Sequence, residues 1–500
     1  MAIKIAMLVV FFGVMVGVGV YCRKHATDVN GFVLGGRSVG PWLTAFAYGT
    51  SYFSAVIFVG YAGQFGWKFG LASTWIGIGN AIIGSLLAWV VLGRRTRIMT
   101  QHLESKTMPE FFGARYDSKL LKIVASLIVF IFLIPYTASL YNGLSRLFGM
   151  AFSLDYTVCI VVMAVLTGVY VIAGGYMATA INDFIQGCIM IIGIVAVILA
   201  VLNTNGGFMN AITNLAKVND EAVSTTPGVF ASFFGPDPFS LLCVVILTSL
   251  GTWGLPQMVQ KFYAIKDEKA ISKGTIISTL FAVIVAGGCY FLGGFGRLYD
   301  IDVAANGFDA IIPEMISKLS PFLIAVVVIL VLSASMSTLS SLVLASSSTL
   351  TLDLIRGTIV KEMNEKKQVL IMRIFIVIFI VVSAAIAIVQ YKSSVTFIAQ
   401  LMGISWGALA GAFLAPFMLS LYWKGVTKLS VIVNFIFGAG IMIANMLQRE
   451  SFPVLLQSPI NCGAFAMLAG FVIVPVISLI TPKLSKEKTD SVFACYKAEK

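Results

Sequence analysis

The second apolar stretch of the chain carries at its centre the run AYGTSYFS, residues 47–54. Glycine and small polar residues in the middle of a membrane span interrupt the helix and leave backbone groups unbonded, and lipid cannot bond them. Such a run is therefore tolerated where it lines a cavity or binds something. The seventh apolar stretch is interrupted in the same way by TSLGTWGLP, residues 248–256. Two interrupted helices five spans apart are typical of inverted-repeat transporters with a site at the midplane. The alternative is that these glycines only allow close helix packing.

The composition predicts an all-α polytopic membrane protein. Hydrophobic residues make up 59% of the 500 and charged residues 11%, against about 25% charged in a typical soluble domain. The mean hydropathy is +0.96. Because a soluble chain of this length cannot bury so much apolar surface, the composition excludes a soluble enzyme, a disordered chain and a nucleic-acid binder.

Thirteen apolar stretches are long enough to cross a bilayer core, which takes about 20 residues each. They are residues 3–22, 41–66, 70–93, 120–145, 155–175, 180–202, 236–260, 271–296, 321–352, 368–390, 394–422, 428–447 and 459–481. With the N-terminus outside, 26 of the 34 Lys and Arg residues fall on the inner side and 8 on the outer side. This bias predicts a multi-pass protein of the plasma (inner) membrane, with the C-terminus in the cytoplasm and the excess positive charge facing anionic lipids rather than nucleic acid.

The ninth span carries a cluster of hydroxyl groups in the run SASMSTLSS. Ala334, Ser337 and Thr338 are spaced i, i+3 and i+4, so they share one helix face. Two hydroxyls and a carbonyl are neutral oxygen ligands of the kind that a hard cation prefers, and carbonyls of Thr50 and Phe53 in the interrupted second span could complete the set. We interpret the cluster as a sodium site. The alternative is that each hydroxyl bonds back to its own helix.

Asp183 is a carboxylate at the start of the predicted sixth span, in the run AINDFIQ. At a helix start it can act as a cap or a partner of the helix dipole, or it can serve an ion pathway. The sequence leaves both open. Its place near the inner end would suit the cytoplasmic exit of an ion.

Several motifs together resemble the sodium:solute symporter family, in its proline and pantothenate branch. They are GGRSVGP at 35–41, GTS at 49–51 with Ser54, PEFF at 109–112 with Arg115, Gly174-Gly175, Asn182-Asp183 with Gln186, Gly254-Leu255-Pro256, Lys266-Asp267 and Met336-Ser337-Thr338. The resemblance covers roughly residues 1–445. The last helices match the family only in hydropathy.

The resemblance implies a LeuT-like fold of 5+5 inverted repeats with peripheral helices at both ends. The implied units are residues 1–40 (first helix and cytoplasmic loop), 41–202 (first repeat), 203–235 (extracellular loop), 236–423 (second repeat), 424–481 (peripheral helices) and 482–500 (cytoplasmic tail).

The resemblance also implies a function. A small organic solute, such as an amino acid or a carboxylate, would be imported together with Na+ by alternating access, and the protein would work as a monomer. Na+ would bind the five positions named above, and Asp183 would lie on its inner path. The implied substrate-lining residues are Ser51, Tyr52, Ser54, Tyr136, Thr252, Trp253 and Gln257.

This chain departs from the proline transporters of the family at three positions. Those proteins carry Asp directly after the serine that matches Ser51, where this chain has Tyr52. They carry Trp and Tyr where this chain has Thr248 and Thr252. Without the carboxylate we expect weaker sodium binding or a different compensating group, and without the aromatic walls a wider and more polar pocket. A solute other than proline is therefore expected, and a sugar or sialic-acid type of solute is the alternative.

Two further function classes were weighed against the transporter. A sensor that keeps the fold would need a signalling domain beyond the 19-residue tail, and a channel would need rings of polar residues. A membrane enzyme would need paired acids or a histidine constellation, whereas His25 and His102 lie in charged loops and the seven cysteines are scattered. We therefore expect neither catalytic residues nor a metal other than Na+.

Overall fold

The computed structural model of the chain describes residues 2–152, 155–356, 359–360, 362–393 and 398–496. This part of the chain is helical throughout, with three isolated β-bridges and no strand. The α-helices of the first 152 residues are α1 (Ala2–Cys22), α2 (Val29–Leu34), α3 (Pro41–Tyr52), α4 (Ala62–Phe69), α5 (Thr74–Gly79), α6 (Arg94–His102), α7 (Met108–Tyr116) and α8 (Lys119–Phe152).

The next eight helices extend from the middle of the chain to residue 317. They are α9 (Tyr156–Thr204), α10 (Phe208–Ala216), α11 (Pro238–Gly254), α12 (Pro256–Ala264), α13 (Glu268–Ala282), α14 (Gly288–Gly293), α15 (Val303–Asn306) and α16 (Ile311–Ser317). The last seven are α17 (Pro321–Thr349), α18 (Glu365–Ser393), α19 (Ile398–Tyr422), α20 (Lys428–Leu447), α21 (Val454–Gln457), α22 (Pro459–Ile480) and α23 (Lys486–Phe493).

Wider and tighter turns join several of these helices into longer runs. The π-helical segments are Val56–Tyr61, Asn80–Leu87, Trp89–Gly93, Val283–Gly287 and Leu350–Ile355. The 3₁₀ segments are Arg23–His25, Gly35–Arg37, Gly70–Ser73, Val229–Ala231, Gly296–Leu298, Phe308–Ala310, Arg449–Ser451 and Ala494–Tyr496. π-turns inside α-helices are frequent at functional sites.

Ten helices of the described residues are long and apolar enough to cross a membrane, or eleven when the bent pair α11–α12 is counted as one span. The predicted number of thirteen is not confirmed. Predicted neighbours run together: the second and third spans turn at Gly70 (φ 59°), and the fifth and sixth turn at Gly175 (φ 57°) inside α9. Glycine adopts the positive φ of these turns without steric cost. Each turn lies inside one helical run, Val56–His102 or α9, where the sequence predicts two spans. The first four residues of the predicted eleventh span, 394–397, lie outside the described residues.

The helices differ strongly in how far they are enclosed by protein. Of the residues in the most apolar stretch of each helix, the protein buries 89% in α19 and 78% in α17. It buries only 22% in the Lys4–Cys22 span of α1. The helix that carries the predicted hydroxyl cluster, α17, therefore lies in the core, and the first helix lies at the periphery.

Some helices approach each other so closely that only glycine fits. A Cβ on Gly66 of α4 would overlap the backbone of Gly293 in α14, and a Cβ on Gly293 would overlap the carbonyl of Ala62. This backbone-to-backbone contact holds α4, the second half of the interrupted second span, against α14. Small residues allow such contact in membrane proteins, where helix association depends on close packing.

Gly66→Ala should lower the stability of the purified protein. The added methyl group has a backbone as its neighbour, which cannot rotate away, so the overpacking should cost about 1–3 kcal/mol. The matched control is Gly440→Ala in α20, because a Cβ at Gly440 meets no atom within 4 Å. A thermal unfolding experiment in detergent should show a lower midpoint for Gly66→Ala than for Gly440→Ala, and equal midpoints would contradict this packing.

Candidate functional site

The second span is broken at Phe53. Helix α3 ends at Tyr52, and Phe53 is extended (φ −84°, ψ 120°). The hydroxyl of Ser54 then accepts a hydrogen bond from the amide of Val56 (3.2 Å) at the start of the following π-turn. Because the last carbonyls of a helix lack amide partners and carry its negative dipole end, the break leaves oxygen acceptors in the protein interior.

Helix α17 supplies the hydroxyls that face this break. The Thr338 hydroxyl lies 3.0 Å from the Thr50 carbonyl oxygen and 3.3 Å from that of Phe53. The Ser337 hydroxyl lies 3.2 Å from the Thr50 oxygen, and both hydroxyls lie within 3.1 Å of the Ala334 carbonyl oxygen. The structure therefore brings together all five positions that the sequence predicts for sodium.

These five oxygens form an uncharged and enclosed group. The side chains of Thr50, Ser337 and Thr338 are fully buried. A hydroxyl can rotate its hydrogen away and present a lone pair, so the same atoms that donate to the three carbonyls can accept a cation. The arrangement is chemically suited to a small monovalent cation, since it offers hard oxygen ligands without a carboxylate.

One helical turn further along α17, Ser341 contacts a charged pair formed by α12 and α9. The Ser341 hydroxyl lies 2.8 Å from that of Ser51, which also donates to the Ala47 carbonyl of its own helix. The Lys261 ammonium of α12 donates to Ser341 (3.0 Å) and lies 4.0 Å from a carboxylate oxygen of Asp183. Lys261 is 2% exposed. A chain of polar groups thus extends from the oxygen cluster to a buried ion pair.

Asp183 lies inside α9, eight residues beyond the turn at Gly175. Its side chain is fully buried and neither carboxylate oxygen accepts a hydrogen bond. The capping alternative is therefore wrong, because no backbone amide donates to this carboxylate. A buried carboxylate requires a cationic partner, and Lys261 is the one that the structure places beside it.

Two predicted substrate residues surround a tryptophan. The Tyr52 and Tyr136 rings lie 6.3 Å and 5.8 Å from the ring of Trp406 in α19. All three side chains are buried, and the hydroxyls of both tyrosines and the indole nitrogen have no hydrogen-bond partner. Buried polar atoms without partners are uncommon in proteins, and a water, an ion or a solute can complete their bonding.

Gln257 is a second polar side chain without partners. The seventh span bends by 46° at Leu255, which is extended ahead of Pro256, and α12 begins there. Proline restricts the preceding residue to extended conformations and so enforces the bend. Gln257 stands in the first turn of α12, is 1% exposed, and neither its amide oxygen nor its amide nitrogen is bonded.

The polar groups of the other predicted substrate residues are bonded within the protein. The Thr252 hydroxyl donates to the Gly84 carbonyl (3.0 Å) and the Trp253 indole to that of Ile83 (2.9 Å), both in the Asn80–Leu87 segment. Ser51 belongs to the polar chain toward Lys261, and the hydroxyl of Ser54 accepts the amide of Val56. The structure therefore separates the predicted substrate set into Tyr52, Tyr136 and Gln257, with free polar atoms, and four residues whose polar atoms are engaged.

The ends of the two broken helices on the Lys261 side are bound together. The Val39 amide donates to the Ala264 carbonyl (3.3 Å), and the Lys266 amide donates to the Val39 carbonyl (3.1 Å). Arg37 donates to the carbonyls of Tyr263 (3.0 Å) and Ser105 (2.6 Å). Burial, with a smaller effect from Arg97, lowers the pKa of Arg37 to about 10, which leaves it charged at neutral pH. This end of the site is closed.

Sequence reasoning missed three residues of this region: Lys261, Ser341 and Trp406. The predicted seventh span ends at residue 260 and so leaves Lys261 outside it. This bound is wrong, because α12 continues to Ala264 and the Lys261 side chain is buried. Ser341 follows Ser337 by four residues and so shares its helix face, which was a usable indication. Trp406 stands in the middle of an apolar span, and its ring lies against Gly251 of α11, where a Cβ would come within 2.8 Å of it.

The sequence has recognisable relatives. Residues 32–438 match the model of the Sodium:solute symporter family. The osmoregulated proline transporter OpuE of Bacillus subtilis (strain 168) is 29% identical over 491 residues, which cover 95% of this chain and 94% of the relative. A sodium/proline symporter of Staphylococcus aureus (strain JH9) is 29% identical over 493 residues, which cover 96% and 92%.

Solved structures show the same fold. The substrate-bound, outward-open state of a Na+-coupled sialic acid symporter superposes with a TM-score of 0.75 at 16% identity, over 97% of this chain and 99% of that one. Mhp1, a nucleobase-cation-symport-1 family transporter, superposes in a closed conformation with a TM-score of 0.50 at 15% identity, over 92% and 97%. The chain therefore has the LeuT-like fold that the resemblance implies.

Proposed function

We propose that this chain, which belongs to the sodium:solute symporter family, imports a small amino acid or carboxylate with Na+ bound at the junction of α3 and α17. Membership of the family establishes the coarser function: the protein is a sodium-coupled importer of a small organic solute, Na+ is the coupling ion, and the protein is not an enzyme. It is an integral protein of the cell membrane.

The observation that carries the sodium proposal is a set of five oxygens in which each hydroxyl lies within 3.3 Å of the carbonyl oxygens that it contacts. Three come from the broken helix end and from Ala334, and two are the hydroxyls of Ser337 and Thr338. Unwound carbonyls at the C-terminal end of a half-helix are the ligands that transporters of this architecture use for Na+. The site lacks a carboxylate, so we expect weak binding and ready release.

The solute proposal rests on the unbonded polar atoms around Trp406 and at Gln257. Gln257 offers a donor and an acceptor at the N-terminus of α12, where the helix dipole favours a negative group such as a carboxylate. Two relatives are named as proline transporters, but Tyr52, Thr248 and Thr252 stand where the proline proteins have other residues. We therefore propose a solute more polar than proline. The sialic-acid type of solute remains the second candidate, and the solute screen below decides between them.

We also propose the orientation and the internal repeats that the sequence predicts. The N-terminus would lie outside and the C-terminus in the cytoplasm, with residues 41–202 and 236–423 as the two repeats and with one chain as the working unit. The Lys and Arg distribution supports this orientation. The contact of the tail residue Tyr496 with the Arg95 carbonyl (3.0 Å) also supports it, because it puts the tail beside a basic loop.

Ser337→Ala and Thr338→Ala should each weaken sodium dependence of transport. In proteoliposomes with an inward sodium gradient, loss of one ligand should raise the half-saturating sodium concentration by about tenfold, or about 1.4 kcal/mol. The matched control is Ser348→Ala, whose hydroxyl bonds only to carbonyls of its own helix. A screen of amino acids, carboxylates and sialic acid in the same vesicles identifies the solute. Unchanged sodium dependence in both variants would overturn the site.

Gln257→Leu should weaken binding of the solute and leave sodium affinity unchanged. The substitution keeps the volume but removes the donor and the acceptor, so the concentration for half-maximal uptake should rise about tenfold. Thr248→Val is the control, because the Thr248 hydroxyl donates to its own helix (2.9 Å to the Val244 carbonyl). A shift of the sodium dependence instead of the solute dependence would mean that the two sites are exchanged.

Asp183 and Lys261 are proposed as the inner part of the sodium path. Opposite charges 4 Å apart attract by about 4 kcal/mol at an effective dielectric constant of about 20. The Lys261 ammonium therefore pairs with the Asp183 carboxylate, which a departing Na+ would otherwise bind. In this role Lys261 is a tethered cation that competes with Na+ for Asp183 and prevents its escape while α12 stays in place.

Lys261→Met should increase the apparent affinity for Na+, because Asp183 is then free to attract it, whereas Asp183→Asn should decrease it. We expect a three- to tenfold change in each direction, about 0.7 to 1.4 kcal/mol. The double variant should lie nearer to wild type than Asp183→Asn does. Sodium-induced thermal stabilisation measures affinity without requiring transport. Equal affinities for wild type and Lys261→Met would refute the competition.

A further inference from the structure

Four basic residues line a cavity that shares no residue with the proposed sodium site. Arg23 and Lys24 follow directly after α1, and Lys366 and Arg373 lie in the first turns of α18. The cavity between these two helices has a volume of about 790 Å³. It lies where two apolar helices leave the hydrocarbon layer, so the four charges stand at the level of the lipid headgroups.

No acidic residue lines this cavity. Among the described residues, no carboxylate forms an ion pair with any of the four cations, and the charges of Arg23 and Arg373 act on each other instead. Glu365 precedes Lys366 in the chain but does not line the cavity. Other cations of the molecule have carboxylate partners, for example Lys424 with Asp490 at 2.7 Å. The cluster therefore lacks the negative charge that would balance it.

Arg373 gives a second, independent indication of a ligand. Its Nε atom is buried and has no hydrogen-bond partner, while its guanidinium carbon lies 5.7 Å from the centre of the Phe32 ring. A guanidinium presents a planar set of donors that fits the oxygens of a phosphate. An anion with several acceptor oxygens between α1 and α18 would bind this guanidinium and reduce the repulsion between Arg23 and Arg373.

The apolar part of the wall indicates where the anion comes from. Val20 and Tyr21 of α1 line the cavity and are 60% and 66% exposed on the outer surface of that helix. In a membrane this surface contacts acyl chains. A ligand that places a phosphate among four cations and hydrocarbon along α1 matches both parts of the wall, whereas a free phosphate matches only one.

We propose that this cavity binds the headgroup phosphate of an anionic phospholipid, which bridges α1 to α18. Basic pockets between membrane helices are known to take such headgroups. The lipid would connect two helices whose cations otherwise repel, and so attach the peripheral first helix to the bundle. The contact of the Asn182 side chain with the Met15 carbonyl (3.3 Å) attaches α1 nearer its middle, so the lipid would fix its end.

The test compares phosphatidylglycerol with phosphatidylcholine of the same acyl chains, added to the purified chain in a neutral detergent. Native mass spectrometry measures the lipid retained, and thermal unfolding measures stabilisation. Wild type should bind phosphatidylglycerol more tightly than phosphatidylcholine. In Arg23→Gln/Arg373→Gln the affinity for phosphatidylglycerol should fall about fivefold per removed charge.

Controls separate this site from a general effect of positive charge. Lys483→Gln/Lys486→Gln removes the same charge from the exposed tail and should keep the preference. Lys24→Gln/Lys366→Gln affects exposed side chains only and tests the site without the buried atom of Arg373. Inorganic phosphate at the same phosphate concentration should not stabilise the protein, and stabilisation by it would assign the cavity to a soluble anion. Equal binding of the two lipids, or an equal loss in the tail variant, would overturn the proposal.

Discussion

The structure depends on a helix end placed where water is absent. At Phe53 the chain leaves the helical conformation in the protein interior, and the carbonyl oxygens of the preceding turn lose their amide partners. Each unsatisfied polar group in such surroundings costs several kcal/mol, so neighbouring chain must supply partners. Helix α17 does so with Ser337 and Thr338, and this requirement fixes the rotation of α17 and its distance from α3.

The carbonyls at the break are bonded by hydroxyls rather than by amides, and this difference matters for cation binding. An amide hydrogen bond would close the break permanently, whereas a hydroxyl can turn from donor to acceptor. The same atoms that hold the apposed helices together here can therefore present lone pairs to a cation at the proposed site. The charges stay one turn away, on Lys261 and Asp183, which leaves the oxygen set neutral.

The sequence was sufficient to predict the parts that follow from spacing or from backbone chemistry. Glycine and proline located both breaks, and the i, i+3, i+4 spacing put Ala334, Ser337 and Thr338 on one face. The partnership of Thr50 with Thr338, 288 residues apart, does not follow from local spacing. The interruption of the second span suggested it, and the family resemblance implied it.

The burial of Lys261 and the number of spans could not be predicted from the local sequence, for a different reason. A lysine at the end of an apolar stretch is normally the start of a polar loop, and only the packing of α9 and α17 around α12 makes it a buried partner of Asp183. The glycines at 70 and 175 turn the chain inside single helical runs, so the apolar pattern predicts more spans than the structure shows as separate runs. Both cases depend on tertiary packing, which outweighs the local pattern.

The bonds at Val39 connect the two broken helices and so would constrain how a sodium ion leaves the proposed site. Helix α3 carries the Thr50 carbonyl, and α12 carries Lys261. Backbone bonds of Val39 with Ala264 and Lys266 join the segment before α3 to the end of α12. Helix α17, with Ser337 and Thr338, takes no part in these bonds. A movement that carries α3 and α12 together away from α17 therefore separates the five oxygens and removes Lys261 from Ser341 in one step. At the proposed sodium site, opening of the path and loss of sodium affinity would then be the same event.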